Sequence, residues 1–230
     1  MLHFETVEPR TFSLLKELMA LPVLDSFSLV GGTAMSLRYG HRSSVDLDLF
    51  CHEKFDIPQI FRTLETAFGN RLAYKQQQTG FGIFCFIDNI KVDIIHYPFL
   101  PIALPTVEDY IRMYDSADIA AMKIQAILGR GKKKDFWDLY ELLQHYSLQQ
   151  VIDWHKQKFP NQMLAISIPH AITYFVDADE SETPVSFKKQ TWDMVKKGVQ
   201  LAVREYLKQL KLCWDLLSEW IFDEMVKTLC

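Results

Sequence analysis

Two aspartates, Asp46 and Asp48, flank one leucine in the segment LVGGTAMSLRYGHRSSVDLDLF, and a third, Asp93, stands among apolar neighbours in KVDII. Alternate residues on a strand point the same way, with Cα atoms roughly 6.5 Å apart. Asp46 and Asp48 can therefore bracket divalent ions separated by about 3.5–4 Å, the arrangement used for in-line displacement at phosphorus. A neighbouring strand lies roughly 4.8 Å away, so Asp93 completes the set if its strand pairs beside theirs. Hard carboxylate oxygens favour Mg2+ or Mn2+ over zinc. Upstream, Gly31 and Gly32 follow an apolar strand and precede a helix. Glycines there let backbone N–H groups approach a phosphate, and the helix N-terminus adds partial positive charge. Thr33 offers a hydroxyl donor. The pattern is neither a Walker A loop nor a Rossmann GxGxxG. A D-x-D alone also fits a strand with a solvated face, and a glycine pair alone fits a plain turn. Together with the third acid they point to metal-assisted nucleotidyl transfer from a nucleoside triphosphate.

Arg42 and Ser44 lie between the glycines and the acids, where they can contact phosphate, orient Asp46 or simply shape the turn. Further on, Lys123 and Arg130 sit seven residues apart at the edge of an apolar helical stripe and project from one side of it. At an interdomain cleft they would neutralise a triphosphate; singly, each also reads as a snorkelling surface residue. The string GKKKDFWDLY places Asp135 at a helix N-terminus, where the macrodipole stabilises it. Functionally it can serve as general base or fix a catalytic lysine, and Asp138 one turn on can support either role. The histidines form no HExxH or nucleophile–histidine pattern. His41 and His52 are the ones near the acids. Phe136 and Trp137 fit core packing better than base stacking.

These residues need a scaffold. Helical spacing is expected over residues 11–20, 33–39 and 57–68, and strands over 27–30, 45–50, 71–77, 81–87 and 90–95, the last two joined by a tight Asp88-Asn89 turn. Pro98, Pro101 and Pro105 then punctuate a linker. Beyond it strand patterns disappear, and helices are expected over 116–128, 133–146, 148–158, 192–210 and 214–229. Residues 177–184, DADESETP, read as an acidic connector. The expected architecture is α/β (α+β): residues 1–105 form a mixed sheet flanked by helices, and residues 106–230 a helical domain that completes the cleft.

At 230 residues the chain can bury a substantial core, and 49% hydrophobic with 23% charged residues is ordinary globular composition. A net charge of −4 argues against a surface coated for non-specific nucleic-acid binding, though not against a local basic groove. Cys51, Cys85, Cys213 and Cys230 make no metal-binding pattern and are expected to be reduced. No signal peptide and no membrane-spanning run is evident, so the expected location is the cytoplasm.

Taken in order, LVGGTAMSLRYGHRSSVDLDLF, KVDIIHYPF and DIAAMKIQAILGRGKKKDFWDLYELL resemble the DNA polymerase beta-type nucleotidyltransferase superfamily, and within it the AbiEii/AbiGii toxin-like branch. The resemblance covers roughly residues 27–143. It implies that Gly31, Gly32 and Thr33 form the nucleotide-binding motif and that Asp46 and Asp48 are metal ligands, with Asp93 as third acid. By the same resemblance Lys123 and Arg130 form the helical basic motif, followed by Asp135 and Asp138. It further implies a toxin of a toxin–antitoxin pair, with a cognate antitoxin as partner and RNA, the tRNA acceptor end among its forms, as acceptor. An antibiotic or a protein hydroxyl as acceptor, or a non-catalytic binder on the same fold, remain alternatives. Nothing after about residue 150 carries an assignable motif.

Overall fold

The computed structural model describes residues 1–74 and 80–229. Helix α1 (Pro9–Met19) leads into strand β1 (Ser28–Val30), helix α2 (Gly31–Tyr39), strand β2 (Leu47–Cys51) and helix α3 (Ile57–Phe68). Strands β3 (Leu72–Tyr74), β4 (Gly82–Ile87), β5 (Ile90–His96), β6 (Thr106–Glu108) and β7 (Ile111–Met113) follow. Helices α4 (Ser116–Gly129), α5 (Lys133–Leu142), α6 (Leu148–Lys158), α7 (Ile168–Ala171), α8 (Val176–Asp179) and α9 (Trp192–Leu229) complete the chain. Among the described residues the strands form one mixed sheet in the order β3-β4-β5-β2-β1-β7-β6.

Local chemistry explains the boundaries. The Asp56 side chain accepts from Gln59 N and opens α3, whose Ile60, Phe61, Leu64 and Phe68 are buried at helical spacing. Asp115 does the same for α4 through Ala117 N, and Ser147 with Gln150 forms a reciprocal cap on α6. Gly40, in the left-handed region at φ 63°, ends α2. Asp88 and Asn89 both take positive φ, the two-residue turn that matches the twist of β4 and β5.

Three expectations need correction. Strand pattern does not stop after the proline-rich linker: β6 and β7 pair with each other, and β7 joins β1. Strands of three residues are too short to display alternation, and their turn uses Asp109 and Tyr110 at positive φ, which sequence rarely advertises. Residues 192–229 form one helix, because nothing around Cys213 breaks it. The connector at 177–184 begins inside a short helical turn, α8. Of the strand expected over 71–77, Leu72–Tyr74 is observed and the rest lies outside the described residues.

The core is continuous from the sheet into the helices. Leu29, Leu47, Leu49, Val92 and Ile94 of the central strands are buried in the same cluster as Ile119, Ile124, Phe136 and Trp137 of α4 and α5. Phe136 and Trp137 are thus core residues. Arg38 on α2 donates to Tyr114 O at 2.9 Å and to Ser116 Oγ at 3.1 Å, fixing the start of α4 against the last turn of α2. Cys51 and Cys85 are buried free thiols. No helix among the described residues is long and apolar enough to cross a membrane.

Candidate active site

Register assembles the site. β2 runs antiparallel to β1, with Val30 opposite Asp48, and parallel to β5, with Asp48 beside Asp93. One row across three strands therefore carries the residue before the glycine turn and two of the three acids. Paired residues on adjacent strands share a face. Gly31, Asp48, Asp93, Lys123, Gln125 and Arg130 all line one cleft of about 420 Å³ between this row and α4.

At the turn, Gly31 takes φ 71° and starts α2, so the free N–H groups of the first helical turn are presented beside the acids. Thr33 faces inward: its hydroxyl donates to the Asp46 carbonyl and accepts from Ser44 Oγ at 2.9 Å. It thus locks the turn to the segment before β2, and its hydroxyl is spent there. Ser44 is partly buried at that joint.

Asp48 and Asp93 sit close enough for their charges to matter. Burial, then the Asp93 carboxylate, pushes the Asp48 carboxyl above the usual carboxylate range, while Lys91 and Lys123 pull it back. Asp93 is buried, and its Oδ1 has no hydrogen-bond partner. Its Oδ2 accepts from Lys91 Nζ, two residues back on the same strand face. Lys91 was not foreseen, although the strand's period of two placed it beside Asp93. Asp46 precedes the first residue of β2, and its carboxylate lies 3.7 Å from Lys134 Nζ in a smaller neighbouring cleft. Its side chain is 37% exposed.

A buried ionic cluster backs the cleft. Arg42 forks onto Asp138, with Nε–Oδ1 at 2.6 Å and Nη2–Oδ2 at 2.8 Å, and donates Nη1 to Ser43 O. All its nitrogens are thereby engaged inside the protein, so the expected phosphate contact is instead an internal brace. Lys123 Nζ lies 2.6 Å from Asp138 and 3.6 Å from Asp135. Arg130, half exposed, meets both Asp135 oxygens at 3.0 Å. Asp135 and Asp138 are fully buried. Both carboxylates are engaged with cations in the structure. Burial alone would raise the Asp138 carboxyl, but Arg42 and Lys123, with a hydrogen bond from His41, hold it well below the usual range. Asp135 is likewise lowered against its burial, chiefly by the hydrogen bond from Arg130 and the charge of Lys123. His41 Nε2 lies 2.7 Å from Asp138 Oδ1, and burial pushes its ring below the ordinary imidazole range against the pull of Asp138.

The donor set suits a hard divalent ion. Asp93 Oδ1 is buried without a partner, and the raised Asp48 carboxyl marks negative charge that the protein alone leaves under-compensated. Among the described residues no three acid, histidine or cysteine side chains already converge at ligand distance, because Asp46 is turned to Lys134.

Comparison with known proteins agrees with this geometry. The family model described as nucleotidyl transferase AbiEii toxin, type IV toxin–antitoxin system, matches residues 13–164. An uncharacterized protein of Aquifex aeolicus is 31% identical over 199 residues, covering 84% of this chain and 94% of its own. A putative nucleotidyltransferase from Helicobacter pylori shares the fold with a TM-score of 0.55 at 18% identity, over 90% of this chain and 98% of its own. The nucleotidyltransferase toxin MenT4 of Mycobacterium tuberculosis does so with a TM-score of 0.52 at 13% identity, over 84% and 82%. The family model spans well over half of the sequence, and the chain belongs to the AbiEii nucleotidyltransferase toxin family.

Proposed function

We propose that the protein transfers a nucleoside monophosphate from a nucleoside triphosphate to an acceptor hydroxyl in a Mg2+- or Mn2+-dependent reaction, with RNA, the tRNA acceptor end included, as acceptor. The observation that carries this reading is the registered Asp48–Asp93 pair, set against the Gly31 turn and facing Lys123 and Arg130 across one cleft. Asp48 and Asp93 would hold the cation, with Asp46 as a third carboxylate. When bound, the cation neutralises charge that develops on the α-phosphate and the departing pyrophosphate.

The N–H groups at Gly31 and Gly32 receive phosphate oxygens, and Lys123 and Arg130 balance the remaining triphosphate charge. The acceptor oxygen forms a new bond to the α-phosphorus, and the bond to the bridging oxygen of pyrophosphate breaks. The acceptor proton passes to Asp93, whose Oδ1 has a free lone pair. Asp135 and Asp138 keep the cations of α4 aimed into the cleft, so positioning and fixed charge supply most of the acceleration. The helices after Ser116 form a unit that supplies this basic wall, a cognate antitoxin restrains the enzyme, and it works in the cytoplasm.

The test is incubation with Mg2+, each of four α-labelled nucleoside triphosphates and total RNA. Label is expected in RNA with the wild type and absent with Asp93→Asn. A parallel screen with aminoglycosides and proteins as acceptors reassigns the acceptor if label moves there. No transfer to any acceptor with any nucleotide overturns the enzymatic reading.

A further inference from the structure

The catalytic cleft continues into two further cavities. Gln125 lines both the cleft and a larger cavity of about 620 Å³, which also carries Phe99, Phe159 and Gln162. Phe159 and Gln162 in turn line a third, of about 370 Å³, with His155 and Tyr206.

An unbroken row of rings follows the same path. Centroid separations are 5.2 Å from Phe50 to Tyr97, 4.9 Å from Tyr97 to Phe99, 4.8 Å from Phe99 to Phe159 and 5.0 Å from Phe159 to His155. Phe50 and Tyr97 line the cleft beside Asp48 and Asp93. Alternation explains their position, since Phe50 is two residues beyond Asp48, and Tyr97 is four beyond Asp93. Phe99 is 37% exposed and presents its ring to the larger cavity. Phe159 and His155 are buried behind it and hold it in place. The Lys158 ammonium, 5.7 Å from the Tyr97 ring and paired with Asp118 at 2.5 Å, fixes the middle of the row from beneath.

We infer that this groove is the acceptor track and that its occupant is the single-stranded end of a polynucleotide, laid with its bases against Tyr97 and Phe99 and its terminal hydroxyl at Asp93. The inference rests on the catalytic reading above. Phe99 lies six residues beyond Asp93, up to roughly 20 Å of extended chain. Stacked bases are spaced about 3.4 Å apart, so the track is longer than one base can cover. The donor's proposed place, at Gly31, Lys123 and Arg130, lies in the cleft, whereas Phe99 lines the neighbouring cavity. Exposed cations along it among the described residues are Arg130 at the cleft end and Lys156 at the far end; Lys123 and Lys158, which also line it, are buried and paired with Asp138 and Asp118. Binding must then come from ring faces and base edges, which suits unpaired bases and excludes a duplex, whose bases are stacked on each other. The neutral amides of Gln125, Gln157, Asn161 and Gln162 around the rim can hydrogen-bond base edges without demanding charge.

The experiment uses the full chain and a fluorescein-labelled single-stranded oligoribonucleotide, titrated by anisotropy, with the same sequence as a blunt duplex and with ATP and GTP by calorimetry. The wild type is expected to bind the single strand more tightly than the duplex. Phe99→Ala should weaken the single strand by roughly 5- to 100-fold, the range for losing one base–aromatic stack. Phe99→Trp should retain it, and nucleotide affinity should stay unchanged in both. Equal binding by Phe99→Ala and wild type overturns the track, as do equal losses of oligonucleotide and nucleotide, or a preference for duplex or for peptide ligands. A wild type that transfers label to an acceptor but binds no single strand overturns the track alone. One that binds the strand with the expected Phe99 dependence but transfers nothing supports the track and overturns the catalytic reading.

Discussion

Gly31 lies against Asp48 so closely that a β-carbon added to it would stand 2.6 Å from the carboxylate Oδ2. The same glycine takes φ 71°, a region that other L-residues enter at a cost. Turn and acid are thus one fitted unit, and Gly31→Ala is expected to displace the carboxylate as well as strain the backbone. Nucleotidyl transfer should fall at least about 100-fold, with a stability loss of about 1–3 kcal/mol. Label transfer and urea denaturation measure the two; near-wild-type transfer would refute the coupling.

Asp48→Asn separates folding from catalysis. Burial and the Asp93 charge raise the Asp48 carboxyl in the folded protein, so ionising it at neutral pH opposes folding. Asn carries no such charge. The variant is expected to melt at or slightly above the wild-type temperature without divalent ions and to lose about 1,000-fold or more in transfer. Mn2+ should raise the melting temperature of the wild type and leave the variant unmoved. Scanning calorimetry with and without Mn2+ gives the answer, and an equal Mn2+ shift in both proteins would count against Asp48 as a ligand.

The Asp138 cluster predicts acid sensitivity. The folded-state carboxyls of Asp138 and Asp135 are depressed, so their contribution is fully present above the unfolded aspartate value and is lost as pH falls through and below about 4. Urea midpoints measured from pH 7 to pH 3 should drop steeply at the low end. Asp138→Asn should flatten that drop while costing about 3–5 kcal/mol at pH 7, because Arg42 and Lys123 lose their buried counter-charge. An unchanged acid limb would be inconsistent with the cluster as drawn.

Lys123 and Arg130 should behave differently despite sharing Asp135. Lys123 is buried, and Lys123→Met leaves Asp138 with one cation fewer, so loss of stability accompanies loss of transfer. Arg130 is half exposed and Lys123 stays beside Asp135, so Arg130→Ala should lower the melt less than Lys123→Met does and weaken triphosphate binding about tenfold. Calorimetric nucleotide titration on both variants distinguishes them, and intact binding by Arg130→Ala would remove that residue from the phosphate site.

Much of the local frame could be read directly from residue order. Helices α1, α3, α4 and α6 have clear caps or stripes, and alternation in LDLFC and KVDII marks the two central strands. Asp48 and Asp93 were legible as partners because each sits among apolar residues on a short strand. Asp46 was placed on the strand, whereas the ladder begins one residue later, where Thr33 takes the Asp46 carbonyl. Tertiary pairing hid the rest. Arg42 meets Asp138 across 96 residues, and nothing near either one announces a buried fork. Gly32 likewise signals phosphate approach, yet a β-carbon there would meet Arg42 Nη2 at 2.4 Å, so it also makes room for that fork.

The parallel pairing of β2 with β5 has a consequence for how the toxin comes to life during synthesis. Neighbouring parallel strands need a crossover, here α3 with the β3–β4 hairpin, so the two registered acids are drawn from remote stretches of chain. Lys123 and its counter-ions arrive later still. A nascent polypeptide emerging from the ribosome therefore carries Asp46, Asp48 and Asp93 before it carries Lys123, Asp135 and Asp138. Under the proposed function, transfer begins only once α4 and α5 have docked, which leaves the producing cell a window in which the growing chain is inert.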